Sequence, residues 1–149
     1  MSHRPIFETK QDLANERRII EACCARWSCE PRKLSPYNYK IDWVLMRSGA
    51  ICALAEVKCR ARRFDPYLIS LHKYETLRRL SRISKLPGLI VVEWNNVGIF
   101  FTNIVAAEHD GIEWMEDSRN REQADAEPCV AINCARFSRV KIESWTRHK

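Results

Sequence analysis

Between Gln11 and Trp27 the apolar residues Leu13, Ile19, Ile20, Cys23, Cys24 and Trp27 gather on one arc when the chain is wound at about 100° per residue, which predicts an amphipathic helix. Thr9 is placed to cap it, with Asp12 three residues on. Cys29 to Asn38, with Pro31, Ser35, Pro36 and three charges, reads as a loop. Two strands follow, Tyr39 to Met46 and Ile51 to Arg60, joined across Arg47-Ser48-Gly49-Ala50, where Gly49 supplies the positive φ of a tight hairpin. Pro66 suits the first turn of a second helix running to about Lys85, closed by Pro87-Gly88. Gly88 to Glu93 and Val97 to Asn103 read as another hairpin around Asn95-Asn96. Residues 108–127 are polar and acidic and predict an irregular surface segment. Cys129 to Cys134 and Arg136 to Ile142 predict closing strands before a basic tail. The order helix, strand, strand, helix, strand, strand is that of an α/β protein built in layers.

Hairpin register decides which side chains meet. A three-residue loop, Ser48-Gly49-Ala50, pairs Arg47 with Ile51, so that Asp42 faces Glu56 and Lys40 faces Lys58. The two carboxylates then lie roughly 5 Å apart at Cβ. The same register gathers Ile41, Trp43, Leu45, Ala53, Ala55 and Val57 on the opposite face. Val44, Met46, Cys52 and Leu54 make the charged face apolar towards the turn, which implies a sheet covered on both sides.

At 149 residues and 46% hydrophobic content, one domain spanning 1–149 with a single core is expected. The 25 Lys and Arg exceed the 19 Asp and Glu, a net charge of +6 that favours polyanionic partners. The start lacks an apolar leader and the apolar stretches are too short to span a bilayer, so a cytoplasmic protein without a membrane partner is expected. Seven cysteines without a CxxC pair predict reduced, structural thiols, with a zinc or iron-sulfur site as the alternative. The histidines lack metal-ligand spacing, and Gly-rich phosphate loops and Ser/His/Asp patterns are missing, which argues against nucleotide-driven motors and dinucleotide enzymes.

Two acids and a lysine at the end of a covered sheet need compensation, because like charges at close range raise a carboxylate pKa. A divalent cation supplies it, and carboxylate oxygens are hard ligands suited to Mg²⁺ or Mn²⁺. With Asp42 and Glu56 on the ion, Lys58 is placed to orient a water or to meet developing negative charge. The alternative is a structural ladder of ion pairs among Lys40, Asp42, Glu56 and Lys58.

Asp42 on one strand followed by Glu56-Val57-Lys58 on the next, between two helices, resembles the PD-(D/E)XK nuclease superfamily over roughly residues 8–104. Ile41 stands where the family name has Pro, and Glu8-Thr9-Lys10 matches the same short pattern without a partner acid upstream. The resemblance implies a restriction-endonuclease-like fold, a mixed central sheet flanked by helices in three layers with an α-β-β-α-β core. It implies metal-dependent hydrolysis of DNA, with the Val57 carbonyl as a further ligand. Members often add a glutamate from the first helix. Of the two candidates, Glu16 falls inside the apolar arc at about 300° from Leu13 and Glu21 near 80°, so Glu16 is the better ligand, unless it reaches solvent or pairs with Arg17. Members also carry a polar residue from the second helix. Lys73 lies among Ile69, Leu77 and Leu80 and matches that role, with snorkelling to water as the alternative. Arg60, Arg62 and Arg63, directly after the site strand, and Lys33 in the first loop are expected at DNA phosphates. By analogy with compact members, a homodimer or a recombination or repair partner is expected. A non-cutting module of the same fold and an RNA-cleaving enzyme stand as rival readings.

Overall fold

The computed structural model describes residues 10–34, 41–95, 97–106, 109–116 and 126–142. Helix α1 (Lys10–Trp27) buries Glu16, Ile19, Ile20, Cys23 and Cys24, the predicted stripe with its glutamate included, while Leu13 stays in water. The expected cap Thr9 and the basic tail lie outside the described residues.

The segment from Cys29 is partly strand rather than loop. β1 (Glu30–Lys33) pairs antiparallel with β2 (Trp43–Arg47) and forms the sheet edge. An edge strand tolerates Pro31, because a missing N–H costs nothing on the side without a neighbour. Beyond β2 comes β3 (Ala50–Arg60). Their turn is one residue tighter than expected, with Arg47 opposite Ala50, yet the ladder shifts by one residue between Met46 and Leu45, and from there Leu45 meets Ala53 and Trp43 meets Ala55. That bulge restores the register which sets Asp42 against Glu56, although the ladder itself stops at Trp43.

The second half departs further from expectation. Pro66 follows a cis peptide bond and leads into a strand, β4 (Tyr67–Ser70), instead of a helix. Tyr67 and Ile69 alternate inward there, a period of two that a helix cannot satisfy. Helix α2 (Leu71–Ser84) starts after Ser70 and ends at Lys85, which takes the left-handed conformation at φ 59°. The expected hairpin is present as β5 (Gly88–Trp94) and β6 (Gly98–Asn103), with Asn96 outside the described residues. Parts of the polar segment are strands as well. β7 (Gly111–Glu116) pairs with β8 (Ala126–Ile132), and β8 with β4, in a small antiparallel sheet. The last expected strand shortens to a single 3₁₀ turn, Cys134–Arg136, and β9 (Ser138–Arg139).

The main sheet runs β1-β2-β3-β5-β6-β9, with β3 and β5 parallel and the other pairs antiparallel. One face carries α1 over Trp43, Leu45, Ala53, Ala55, Val57, Leu89 and Val91. The other carries α2 and the small sheet over Val44, Leu54, Ile90, Val92 and Trp94. Two expected face assignments change. Ile41 joins the α2 layer because it precedes the regular strand, and Cys52 packs on the α1 layer because it sits at the bulge.

Every residue of β5 is buried, as a central strand between two layers requires. Glu93 lies within it, 1% exposed, and receives both terminal nitrogens of Arg18 from α1 at 2.7 Å, with the Cys59 thiol at 3.6 Å. This fork fixes α1 to the sheet. The cysteines are free thiols; burial pushes Cys23 up to about 12. Among the described residues, no helix is long and apolar enough to cross a membrane.

Gly88 marks where α2 presses closest. A Cβ there would meet Ile104 Cγ2 at 2.9 Å, Ser81 Cβ at 3.1 Å and Leu77 Cγ at 3.2 Å. Gly88→Ala is expected to cost about 1–3 kcal/mol. Urea unfolding checks this, and an unchanged midpoint would count against such tight packing.

Candidate active site

Glu56 is the centre of the charged cluster. It belongs to the half of β3 that pairs in parallel with β5, lies opposite Ile90, and is 2% exposed. A carboxylate there is stable only if charge compensates it. Lys73 of α2 approaches Glu56 Oε1 at 2.5 Å, and Lys58, two residues along β3, approaches the same oxygen at 3.5 Å. Helix α2 therefore delivers the Lys73 ammonium to Glu56, with part of the side chain still in water.

Burial pushes the Glu56 carboxyl above its ordinary value. The Lys73 charge pulls it back, Asp42 pushes it further up, and Lys58 opposes. Asp42 thus lies close enough for its charge to act on Glu56. Lys73 is held above its ordinary value even though burial alone would lower it, because the fields of Glu56 and Asp42 prevail.

A second group assembles on the α1 side. Lys33 Nζ lies 3.5 Å from Glu16 Oε1 and 3.9 Å from Asp42 Oδ1, over the Trp43 ring at 5.2 Å from its centroid. Trp43 Nε1 donates to Glu16 Oε1 at 3.3 Å. Glu16 is thus buried and partnered by Lys33 and Trp43, while Arg17 pairs with Glu21. Lys33 joins the acids, a placement that reading its segment as an open loop did not anticipate. Lys40 and its expected place opposite Lys58 lie outside the described residues.

The arginines separate by environment. The Arg60 charge acts on the Tyr67 phenol and opposes the effect of its burial. Arg63 lies over the rings of Trp94 and Phe100, 5.2 and 5.6 Å from their centroids, and Arg62 is exposed. Sequence reasoning missed Tyr67, because Pro66 was read as a helix start, and missed the Arg18–Glu93 pair, because one charge in an apolar strand carries no partner signal.

The donor set suits a small hard cation. Asp42 and Glu56 offer carboxylate oxygens, and the contacts of Lys58 and Lys73 fall on Oε1, leaving Oε2 outside them. Among the described residues, no group of three or more acid, histidine or cysteine side chains is gathered closely enough to hold an ion. An ion held there would, among the described residues, have two side-chain carboxylates at most, with waters completing its shell.

Two outcomes follow. Lys73→Met leaves Glu56 short of its nearest counter-charge and should destabilise the metal-free protein by about 2 kcal/mol, below the fully buried case because part of Lys73 reaches water. Glu56→Gln combined with Lys73→Met should recover most of that loss in thermal unfolding; additive losses would deny the coupling. Burial moves the Tyr67 phenol from 10.0 up to about 12, against the pull of Arg60. A raised pKa means the folded state holds the proton more tightly, so this contribution is intact below pH 10 and drains towards pH 12. Tyr67→Phe should flatten the stability decline in that window, and an unaltered slope would refute the assignment.

Over residues 2–140 the sequence matches the family described as "Phage putative PDDEXK endonuclease". No curated protein sequence matches the chain. Among solved structures it is similar to Hjc, a Holliday junction resolvase from the archaeal hyperthermophile Archaeoglobus fulgidus. The TM-score is 0.54 at 12% identity, covering 82% of this chain and 88% of the resolvase. At that identity the likeness speaks for the fold, and the mixed sheet between helices is the restriction-endonuclease-like arrangement the sequence led us to expect. With the match spanning nearly its whole length, the chain belongs to this phage PDDEXK endonuclease family.

Proposed function

We propose that the protein is a Mg²⁺-dependent deoxyribonuclease, Mn²⁺ serving in its place, whose site is built on Asp42, Glu56 and Lys58. The observation that carries this reading is the nearly inaccessible Glu56 carboxylate, under the field of a second acid and met by two ammonium groups on one oxygen. A purely structural pair has no use for a second carboxylate beside a buried one.

Asp42, Glu56 and the Val57 carbonyl would hold the ion, with Glu16 reaching it as Lys33 yields. The bound ion supplies Lewis-acid polarisation of the scissile phosphate and a more acidic water. Lys58 orients that water and meets the negative charge that builds on the phosphate oxygens. Lys73 holds the Glu56 carboxylate anionic and in one orientation. Lys33, Arg60, Arg62 and Arg63 border the site with positive charge, which suits a polyanionic strand.

The similarity to a junction resolvase makes branched DNA one substrate to offer beside single strands and continuous duplex. Purified protein with Mg²⁺ or Mn²⁺ should cut at least one of these. EDTA should stop the reaction, and Lys58→Ala should slow it by about 100-fold or more. Cleavage that persists in EDTA, or that Lys58→Ala leaves untouched, would overturn the assignment.

A further inference from the structure

The loop Ala61–Pro66 leaves β3 at Arg60 and returns at Tyr67. Arg60 lies two residues beyond Lys58 on β3, so the loop starts from the strand that carries Glu56 and Lys58, and it ends at the buried Tyr67 that opens β4. Phe64 stands six residues after Lys58, within about 22 Å of it along even a fully extended chain. Successive stacked nucleotides of one strand are about 3.4 Å apart, so the ring is within roughly six nucleotide steps of Lys58.

Single exposed apolar side chains are ordinary on a protein surface. Phe64 differs in three respects. Its loop is pinned: the Cys134 N–H donates to Asp65 Oδ1 at 3.0 Å, and the Cys134 thiol donates to the Phe64 carbonyl at 3.2 Å. An aromatic bed of Trp94, Phe100, Phe137 and Tyr67 lies beside the loop, but Arg63 occupies it with its guanidinium. Phe64, the side chain chemically suited to that bed, is 69% exposed. The loop lays the Arg63 guanidinium on the aromatic bed and presents its phenyl ring to water.

We infer that Phe64 is a stacking platform for an unpaired or unstacked nucleobase within a few nucleotides of the cleavage site, so that the loop selects DNA whose bases are already out of the helix. Resting on the nuclease reading above, it specifies the substrate class of that site. A nucleobase is favoured over an apolar protein partner because the loop is cationic: Arg62 and Arg63 are exposed on it, and Arg60 immediately precedes it. Every base has a π-face, so the platform recognises exposed bases without reading sequence. A rigid loop loses little conformational freedom when the ring engages.

The test is binding in EDTA, by fluorescence anisotropy, to a duplex with unpaired bases and to a continuous duplex of matched length. Wild type, Phe64→Ala and Phe64→Trp are compared, with 2-aminopurine at the unpaired position. Phe64→Ala should weaken binding to the unpaired substrate by about ten-fold and leave the continuous duplex within about two-fold. Phe64→Trp should keep the preference, and the 2-aminopurine quenching seen with wild type should disappear in Phe64→Ala. Equal losses on both DNAs, or none on either, would overturn the platform while leaving the nuclease assignment standing. Failure of wild type to bind any DNA would sink both. Unchanged melting temperatures confirm that each variant is folded, as an exposed position predicts.

Discussion

The interaction on which the site depends is the encounter of Glu56 with Lys73 inside the molecule. A carboxylate at 2% exposure on a central strand requires a counter-charge, and the arrangement of the α2 layer supplies it. The bulge before Leu45 sets the register that pairs Trp43 with Ala55, next to Asp42 and Glu56. The strand β4, inserted ahead of α2, places the Tyr67 phenol within the field of the same acid. Gly88 lets α2 lie close enough to the sheet for Lys73 to arrive.

Two buried glutamates on adjacent strands show how the partner shapes the use of a carboxylate. Glu93 is closed by Arg18, whose planar fork takes both oxygens at 2.7 Å and leaves little capacity for a ligand. Glu56 is met by lysines, point charges that both address Oε1. One arrangement ties a helix to a sheet, and the other brings two ammonium groups to one carboxylate oxygen. Lys33 treats Asp42 similarly, at a single oxygen and at 3.9 Å.

Much of this was legible in the sequence because it rests on periodicity. The stripe of α1 exposed Glu16 as a glutamate among apolar residues, whereas the apolar neighbours expected for Lys73 on its wheel hold only for Leu77, since Ile69 lies in β4 and Leu80 is 40% exposed. The expected register holds from Leu45 to Trp43, although through a compensation: the turn is shorter than expected, and a bulge makes up the difference. What the sequence hid depends on tertiary pairing. Pro31 and Pro66 suggested a loop and a helix start, whereas an edge strand and a strand entry accommodate them equally well. The strands of the small sheet are short and partly polar, and their pairing carries little local signal. Lys33 looked like one more surface cation until β1 carried it between Glu16 and Asp42.

The central claim is that Asp42 and Glu56 form a cation site. Mn²⁺ titration of the protein without DNA, followed by calorimetry, addresses it directly, with Asp42→Asn beside the exposed-surface control Glu21→Gln. The account predicts one bound ion in wild type and in Glu21→Gln, and loss of that binding in Asp42→Asn. Binding that Asp42→Asn leaves unchanged would contradict it.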